Sequence, residues 1–287
     1  GEDCRITGLR IRGPDPDMDD YTEATKNSAS AAAARGMSIR TDCEIDNCEL
    51  SNFYRDGFNL GNDRQIHIHH NHIHDIAAYP IIITYNGCNP LIEANRIGWG
   101  WHAIAGTGAI GTGYEARYNL FEMEEMAVPP WERVHHCLDM HADRDIRNPF
   151  QMVGADLMLW HHNTIELSGP YAHPDYTYGM KLRGTPRLIC QSHNNWFKTE
   201  NISQALGPFG DGTQQQALGN FWTHDNAYGD DKRLLVEADY RTAPQIVLRT
   251  DCTLLPVEEV HEVNGTMPLD IEVNTLDRFT LCGVIVM

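Results

Sequence analysis

The sequence is poor in basic residues: 22 Lys and Arg stand against 40 Asp and Glu, so the formal net charge is −18. Without a basic stripe to neutralise phosphates, nucleic acid is excluded as the partner. The same charge opposes a polyanionic ligand unless a metal ion or a local basic cluster intervenes. No apolar run reaches the roughly 18 residues of a membrane-spanning helix, so we predict no membrane insertion.

Zinc-ribbon and helix patterns are also absent. None of the eight cysteines makes a CxxC pair, which argues against a zinc ribbon, and we expect mostly free, buried thiols. An even number of cysteines also permits disulfides in a secreted chain. Long amphipathic helices between strand-like segments are missing, which excludes the Rossmann and TIM-barrel classes. The glycine-rich stretch 98–113 lacks the phosphate-loop pattern.

What the sequence contains is a repeat. Its unit is an apolar residue, two polar residues, asparagine, any residue and a second apolar residue, as in Ile68, Asn71 and Ile73. The asparagine position recurs at Asn71, Asn95, Asn119, Asn163 and Asn194. Two successive intervals, 71 to 95 and 95 to 119, are both 24 residues, and Cys48 occupies the same position upstream. A short period with some longer coils indicates a stacked β-solenoid.

The repeat predicts an all-β, single-stranded parallel β-helix in which apolar side chains stack inward and the asparagines form a hydrogen-bonded ladder. It resembles the right-handed parallel β-helix proteins, a superfamily that includes pectate lyases and other polysaccharide lyases. We assign residues 1–230 to the solenoid, with inserted loops at 14–36, 122–134 and 167–177. Residues 231–287 are expected to form a C-terminal cap or edge strand of the same domain.

Two coils are longer than the others. The second strand of a regular coil is centred eleven residues after the ladder position. In the two coils with loops 122–134 and 167–177 it is centred at Asp139 and Lys181, which are 20 and 18 residues after Asn119 and Asn163. Strand alternation turns Cys137, Asp139 and His141 outward on one coil, and Lys181 and Arg183 outward on the next. We therefore predict that these polar residues are neighbours beneath two projecting loops.

The predicted cluster suits β-elimination from a uronic acid, which needs a neutralised carboxylate, a base and an acid. Arg183 is the candidate for neutralising the carboxylate, and Lys181 or His141 is the candidate base. Asp139 would orient His141 or hold a cation. The candidate acids are Tyr178 and His136.

Further residues are candidates for holding the polymer. Arg183 to Arg187 reads RGTPR, which is similar to the Arg-x-Pro-Arg stretch of pectate lyases, so Arg187 is a candidate substrate contact. The loop aromatics Trp131, Tyr171 and Tyr176 are candidates for the same role. The resemblance implies a polysaccharide as partner and an extracellular or cell-surface location.

Three metal sites are conceivable. Asp139, His141 and His135 offer ligands for a transition metal. Asp15, Asp17 and Asp19 alternate in a way that suits calcium, although the loop lacks other EF-hand features. A column of His162, His193 and His224, one residue before the ladder position, is a further candidate for metal binding or pH sensing.

Two alternatives to a lyase stay open. The chain could be a non-catalytic β-helix of a surface layer, appendage or viral spike, with Asp139, His141, Lys181 and Arg183 as a surface salt-bridge ladder. It could also be a glycoside hydrolase, which needs two carboxylates at a defined separation. The carboxylates available for that role are Glu124, Glu125, Asp139, Asp143 and Asp145.

Overall fold

Three parallel sheets dominate the computed structural model of the chain. The residues described are 4–13, 35–61, 65–84, 87–122, 136–141, 143–144, 152–153, 156–167, 172, 177–183, 186–199, 202–205, 221–224, 226–229, 246–248 and 284–286. Two sheets have eight strands and one has six. We call them sheets A, B and C, and number strands in chain order.

Sheet A contains β1 (Cys4–Thr7), β4 (Cys43–Asp46), β7 (Ile66–His69), β10 (Leu91–Glu93), β13 (Tyr114–Arg117), β18 (Leu157–His161), β21 (Ile189–His193) and β23 (Phe221–His224). Sheet B contains β2 (Arg10–Arg12), β5 (Glu49–Phe53), β8 (His72–Ile76), β11 (Arg96–Gly98), β14 (Leu120–Glu122), β19 (Thr164–Glu166), β22 (Trp196–Lys198) and β24 (Ala227–Tyr228). Sheet C contains β3 (Arg35–Ile39), β6 (Asp56–Leu60), β9 (Tyr79–Ile83), β12 (His102–Gly106), β15 (His136–Met140) and β20 (Tyr178–Leu182).

The chain visits the sheets in the order A, B, C and then returns to A one level further along. Each strand pairs in parallel with its equivalent from the next coil, as Ile45 does with Ile68, and Ile68 with Ile92. This is a β-helix, and the predicted fold class is confirmed. The third strand begins at Arg35 and so includes the last two residues of the predicted first inserted loop.

An asparagine ladder joins sheets A and B inside the solenoid. The carboxamide oxygen of Asn95 accepts hydrogen bonds from the backbone nitrogen and the side chain of Asn71, both at 3.0 Å. The pattern continues through Asn119 and Asn163. The next member is Asn195, not Asn194 as the repeat predicted, and it is followed by Asn226. The prediction slipped by one residue because two asparagines are adjacent in the sequence.

The residue before each ladder position makes the bend between sheets A and B. Asn47, His70, Ala94, Tyr118, His162 and Asn194 all have positive φ angles between 51° and 56°. Left-handed backbone at one residue turns the chain sharply, and asparagine and histidine adopt it more readily than most residues. This explains why Asn194 occupies the bend and leaves the ladder to Asn195.

The core consists of stacked apolar columns from all three sheets. Ile45, Ile68, Ile92 and their equivalents are fully buried, and the column continues with a small Ala116 beneath a large Trp160. Stacking a small residue against a large one keeps the interior close-packed. The core thereby fixes the register that decides which side chains are turned outward from each strand.

Outside the three sheets the described elements are short. Strand β16 (Asp143–Arg144) pairs antiparallel with β17 (Met152–Val153), and β25 (Ile246–Leu248) pairs with β26 (Val284–Val286) in the same way. Helix α1 spans Ile202–Ala205. Across the described part of the chain, no helix has the length and apolar character needed to cross a membrane.

Candidate functional site

Strands β15 and β20 bring the predicted polar residues together. They pair in parallel, with Asp139 directly opposite Lys181, so the prediction that these two coils are neighbours is confirmed. Arg183 follows β20 immediately and donates its backbone N–H to the carbonyl of Met140. The cluster therefore lies on the outer side of sheet C, where successive coils place their side chains side by side.

The outward pattern differs from strict alternation at the start of each strand. Cys137 belongs to the hydrophobic core, so its predicted outward orientation is wrong, while His136 contacts Asp139 instead. The equivalent position in other coils holds a small residue, such as Gly57 or Gly179. A Cβ atom on Gly179 would lie 2.8 Å from the carbonyl oxygen of Ala205. In β15 the consecutive residues Cys137 and Leu138 therefore both face the core, and the equivalent position in β20 has room only for glycine.

Asp139 is the centre of the cluster and has no exposed surface. Its Oδ1 atom lies 3.0 Å from Nδ1 of His136 and accepts a hydrogen bond from Nε of Arg183 at 3.1 Å. Its Oδ2 atom lies 3.0 Å from Nε2 of His141. Burying a carboxylate is favourable only when its oxygens have partners; here Oδ1 is hydrogen-bonded, whereas Oδ2 has the charge contact with His141 but no hydrogen bond among the described residues.

The site combines ionised and neutral groups. Burial would raise the pKa of Asp139, but the surrounding imidazoles of His102, His136 and His141 hold that pKa well below its ordinary value. Burial lowers the pKa of His136, and it lowers the pKa of His102 well below the ordinary value. At neutral pH, Asp139 is therefore an anion, whereas His102 and His136 are neutral hydrogen-bonding groups.

A column of aromatic rings runs along the outer side of sheet C through this cluster. Tyr79, His102, His136 and Tyr178 come from four successive coils, with neighbouring ring centroids 5.6, 4.9 and 5.8 Å apart. Trp101 stacks on both Tyr79 and His102. The repeat did not predict Tyr79, Trp101 or His102 as part of a site. The available signal was the aromatic residue that opens the third strand of each of these coils.

The outer side of sheet C is also locally basic. Arg35, Arg40 and Arg55 lie around β3 and β6, where Arg35 pairs with Asp56 at 2.9 Å and Arg40 donates to Asn59 at 2.6 Å. Lys181 and Arg183 lie at the other end, with Nζ of Lys181 5.1 Å from the ring centroid of Tyr178. These two groups, at opposite ends of sheet C, provide local positive charge that the overall composition lacks.

A three-residue group could bind a metal ion at this site. Ligand atoms of His102, Asp139 and His141 all lie within 4.8 Å of one another. This places His102 beside the predicted ligands Asp139 and His141, while His135 lies outside the described residues. Two imidazoles and one carboxylate suit a transition metal better than calcium, which prefers oxygen ligands. Arg183, however, already supplies positive charge to Asp139 and approaches Nε2 of His102 at 3.4 Å.

A second such group lies on the outer side of sheet A. It consists of Glu44, Asp46 and His69. Arg5 binds both carboxylate oxygens of Asp46, at 3.0 and 2.8 Å. In this group too, an arginine supplies the positive charge that a metal ion would provide.

The predicted histidine column is wrong in one member. In the register of sheet A, His193 pairs with His161 and with His224, and the rings of His161 and His193 stack 4.9 Å apart. His162 occupies the bend position instead. The reason is the same one-residue slip that moved the ladder from Asn194 to Asn195.

Arg187 has a structural environment. It donates hydrogen bonds to the carbonyls of Gly108 and Ala109, at 3.1 and 3.2 Å, and to the carboxylate of Asp156 at 3.1 Å. These contacts tie the glycine-rich segment to the start of β18. The other predicted substrate contacts, Trp131, Tyr171 and Tyr176, lie outside the described residues, as do Asp15, Asp17 and Asp19.

Comparison with known proteins addresses the fold. The family described as a right-handed β-helix region matches residues 16–114. This match supplies the handedness of the solenoid and ends before β15, so it does not include the polar cluster. No curated protein and no solved structure matches the chain.

Proposed function

Because the chain is a right-handed parallel β-helix protein with a polar cluster on the outer side of sheet C, we propose that it is a polysaccharide lyase. Its substrate would be a uronic-acid-containing polymer, cleaved by β-elimination. The observation that carries the proposal is the Asp139–His141 pair, held beside Arg183 and Lys181 on adjacent strands.

His141 is the proposed base. Its side chain is 40% exposed, whereas Asp139 is fully buried behind it. A carboxylate at Nε2 favours the tautomer that carries the proton there, and this leaves the lone pair of Nδ1 for the C5 proton of the sugar. Asp139 is then a positioning residue, and His136 supports it from within the strand.

The remaining roles follow the movement of charge. As His141 takes the proton, the electron pair of the C5–H bond moves onto the sugar carboxyl group, and Arg183 and Lys181 would stabilise that charge. The electrons then form the C4–C5 double bond as the C4–O bond breaks. We assign protonation of the leaving oxygen to the Tyr178 hydroxyl, since His136 is buried and contacts Asp139.

The described carboxylates of sheet C do not form a glycoside-hydrolase pair, and the side chains of the other candidates lie outside the described part of the chain: Glu124, Glu125, Asp143 and Asp145. Hydrolases use two carboxyl groups between roughly 5 and 9.5 Å apart. Among the described side chains on the outer side of sheet C, the carboxylates are those of Asp56 and Asp139. They lie three coils apart, which is about 14 Å at the usual spacing of paired strands. Both are paired with arginine.

The same surface suits a polymer lying along the solenoid axis. Flat rings of Tyr79 and Trp101 offer stacking surfaces for sugars, since both are partly exposed. Arg35 and Arg40 continue the face beyond them and would attract the carboxylates of a polyuronate chain. Such polymers occur outside cells, so the proposal includes an extracellular or cell-surface location. The proposal includes a calcium ion only with Asp15, Asp17 and Asp19 as its ligands, and not in the catalytic cluster.

The test is a lyase assay on a panel of uronate polymers, with and without a chelator, reading the absorbance of the unsaturated product. We expect the wild type to act on at least one polymer and His141→Ala to reduce kcat by roughly 100-fold or more. His67→Ala is the matched control, because His67 is also carboxylate-bound, at 2.7 Å to Glu93, and 36% exposed.

Three results would count against the proposal. Absence of product from the wild type on every polymer would favour a non-catalytic structural or adhesive β-helix. Full activity of His141→Ala would remove the proposed base. Saturated reducing sugars in place of unsaturated products would identify a hydrolase.

A further inference from the structure

Two cysteines face each other at one end of sheet A. Cys4 and Cys43 are directly paired in the parallel register of β1 and β4, so they point to the same side of the sheet. Both belong to the side of the sheet that packs on the core, where Cys43 is a member of the hydrophobic cluster and Cys4 packs against it. Registered residues on paired strands lie about 4.8 Å apart, within the range of roughly 4.4–6.8 Å that disulfides span between Cα atoms.

Their surroundings differ in access. Cys43 is buried, whereas Cys4 is partly exposed and packs against the edge of the core. Both line a cleft of about 590 Å³ whose other walls include Arg5, Glu44 and His67. Strand β1 has a neighbour on one side only in the described sheet, so small adjustments of its backbone disturb few hydrogen bonds.

We propose that Cys4 and Cys43 are a redox-active pair that closes to an intramolecular disulfide on reaction with a small-molecule disulfide such as oxidised glutathione. The Cys4 thiolate attacks one sulfur of the reagent, forming a mixed disulfide and releasing one thiol. Cys43 then attacks the Cys4 sulfur and releases the second thiol. Two protein thiols are oxidised, and one external disulfide is reduced to two thiols.

The order of these steps follows from access. Cys4 is the sulfur that the cleft exposes to a reagent. Cys43 is buried, so the Cys43 thiol is a poor first nucleophile. Once Cys4 carries the mixed disulfide, the neighbouring Cys43 sulfur is already in place for the second step.

Cys48, Cys137 and Cys190 have no cysteine opposite them on a neighbouring strand of the described sheets. Cys48 donates its thiol hydrogen toward the Asp46 carbonyl at 3.3 Å, and Cys190 is fully buried beside Met158. Oxidation should therefore be selective for Cys4 and Cys43. The bond would link the first two coils and enclose residues 5–42, and closing such a long segment restricts the unfolded chain.

The test uses the full chain, folded and reduced, incubated with oxidised glutathione and then alkylated. Peptide mapping by mass spectrometry should recover a peptide pair joined through Cys4 and Cys43, with the protein lighter by two hydrogen atoms. The denaturant midpoint should rise on oxidation and return on reduction. Cys4→Ser should abolish both changes, and Cys48→Ala is the matched control that should keep them.

Each other result contradicts the proposal. A glutathione adduct that persists on Cys4, a disulfide between two copies of the chain, or a different cysteine pairing would show that the two sulfurs do not close on each other. Unchanged thiols under the same conditions would do the same. None of these outcomes bears on the lyase proposal, because the pair lies on sheet A and the polar cluster on sheet C.

Discussion

Removing one member of the asparagine ladder should cost far more stability than its size implies. Asn119 has no exposed surface and makes four hydrogen bonds through its side chain. Its Nδ2 donates to the Ile92 carbonyl at 2.9 Å and to Asn163 at 3.0 Å. Its Oδ1 accepts from the backbone and the side chain of Asn95 at 3.1 and 3.0 Å.

Asn119→Ala leaves two buried donors of Asn95 without an acceptor. An unsatisfied buried group costs about 1–3 kcal/mol, so we expect the free energy of unfolding to fall by about 2–6 kcal/mol. Asn226→Ala is the matched comparison, because Asn226 makes equivalent contacts to Asn195 but is partly exposed. Water replaces part of its bonding, and we expect a loss of about 1 kcal/mol.

The measurement is urea unfolding followed by far-ultraviolet circular dichroism, with the m value checked for each variant because solenoids can unfold in parts. Asn195→Ala should resemble Asn119→Ala. Asn194→Gly should cost much less, since Asn194 has a φ of 55° that glycine adopts freely and makes one hydrogen bond to His193. Equal losses at Asn194 and Asn195, or at Asn119 and Asn226, would refute the ladder argument.

Two further predictions concern charge. Burial raises the pKa of Glu93, but bonds from His67 and Arg117 outweigh it and lower the pKa from 4.5 to about 2. Ionised Glu93 therefore contributes up to about 3 kcal/mol to the free energy of unfolding above pH 4.5, and this contribution is lost as the pH falls toward 2. Over that pH range the urea midpoint of Glu93→Gln should fall less than that of the wild type. Asp139→Asn leaves Arg183 without its buried anion and should lower the free energy of unfolding by about 3–5 kcal/mol in the same assay at neutral pH.

The stacked columns could be predicted from the sequence because like residues recur at a fixed interval. Ile45, Ile68 and Ile92 stand in one column, and the intervals between them follow the chain around one coil. The neighbourhood of Asp139 and Lys181 followed from the same count, since loops lengthen a coil without changing the strand to which it returns.

The predicted register was wrong where two adjacent residues fit the repeat equally well. Asn194 and Asn195 are adjacent, and so are the aromatic residues Trp196 and Phe197. In the structure Phe197 pairs with Ile165 in the core column. The side chain of Trp196 is also buried, and its Nε1 donates a hydrogen bond to the Gly229 carbonyl at 2.7 Å. A slip of one residue exchanges the two faces of a strand, and only tertiary packing decides between them.

The aromatic column was missed for a different reason. Strict alternation places Cys137 outward and His136 inward, but Cys137 and Leu138 both belong to the core in β15, as do Ala103 and Ile104 in β12. Composition does not reveal this irregularity, because Ala103 and Ile104 are both apolar and either could be the inward residue. His102 could therefore be recognised as a neighbour of Asp139 only from the backbone geometry.

The net charge of −18 gives the lyase proposal an unusual salt dependence. At low ionic strength the whole acidic protein repels a polyuronate, although Arg183 and Arg35 lie on the face that would bind it. Near 0.1 M salt the Debye length is about 10 Å, shorter than a face of six coils, so distant repulsion is screened while contacts at the surface persist. We expect KM for polymer to fall as salt rises to about 0.1 M and to increase again well above it. A KM that rises steadily from the lowest salt would show that the protein's overall charge does not oppose substrate binding.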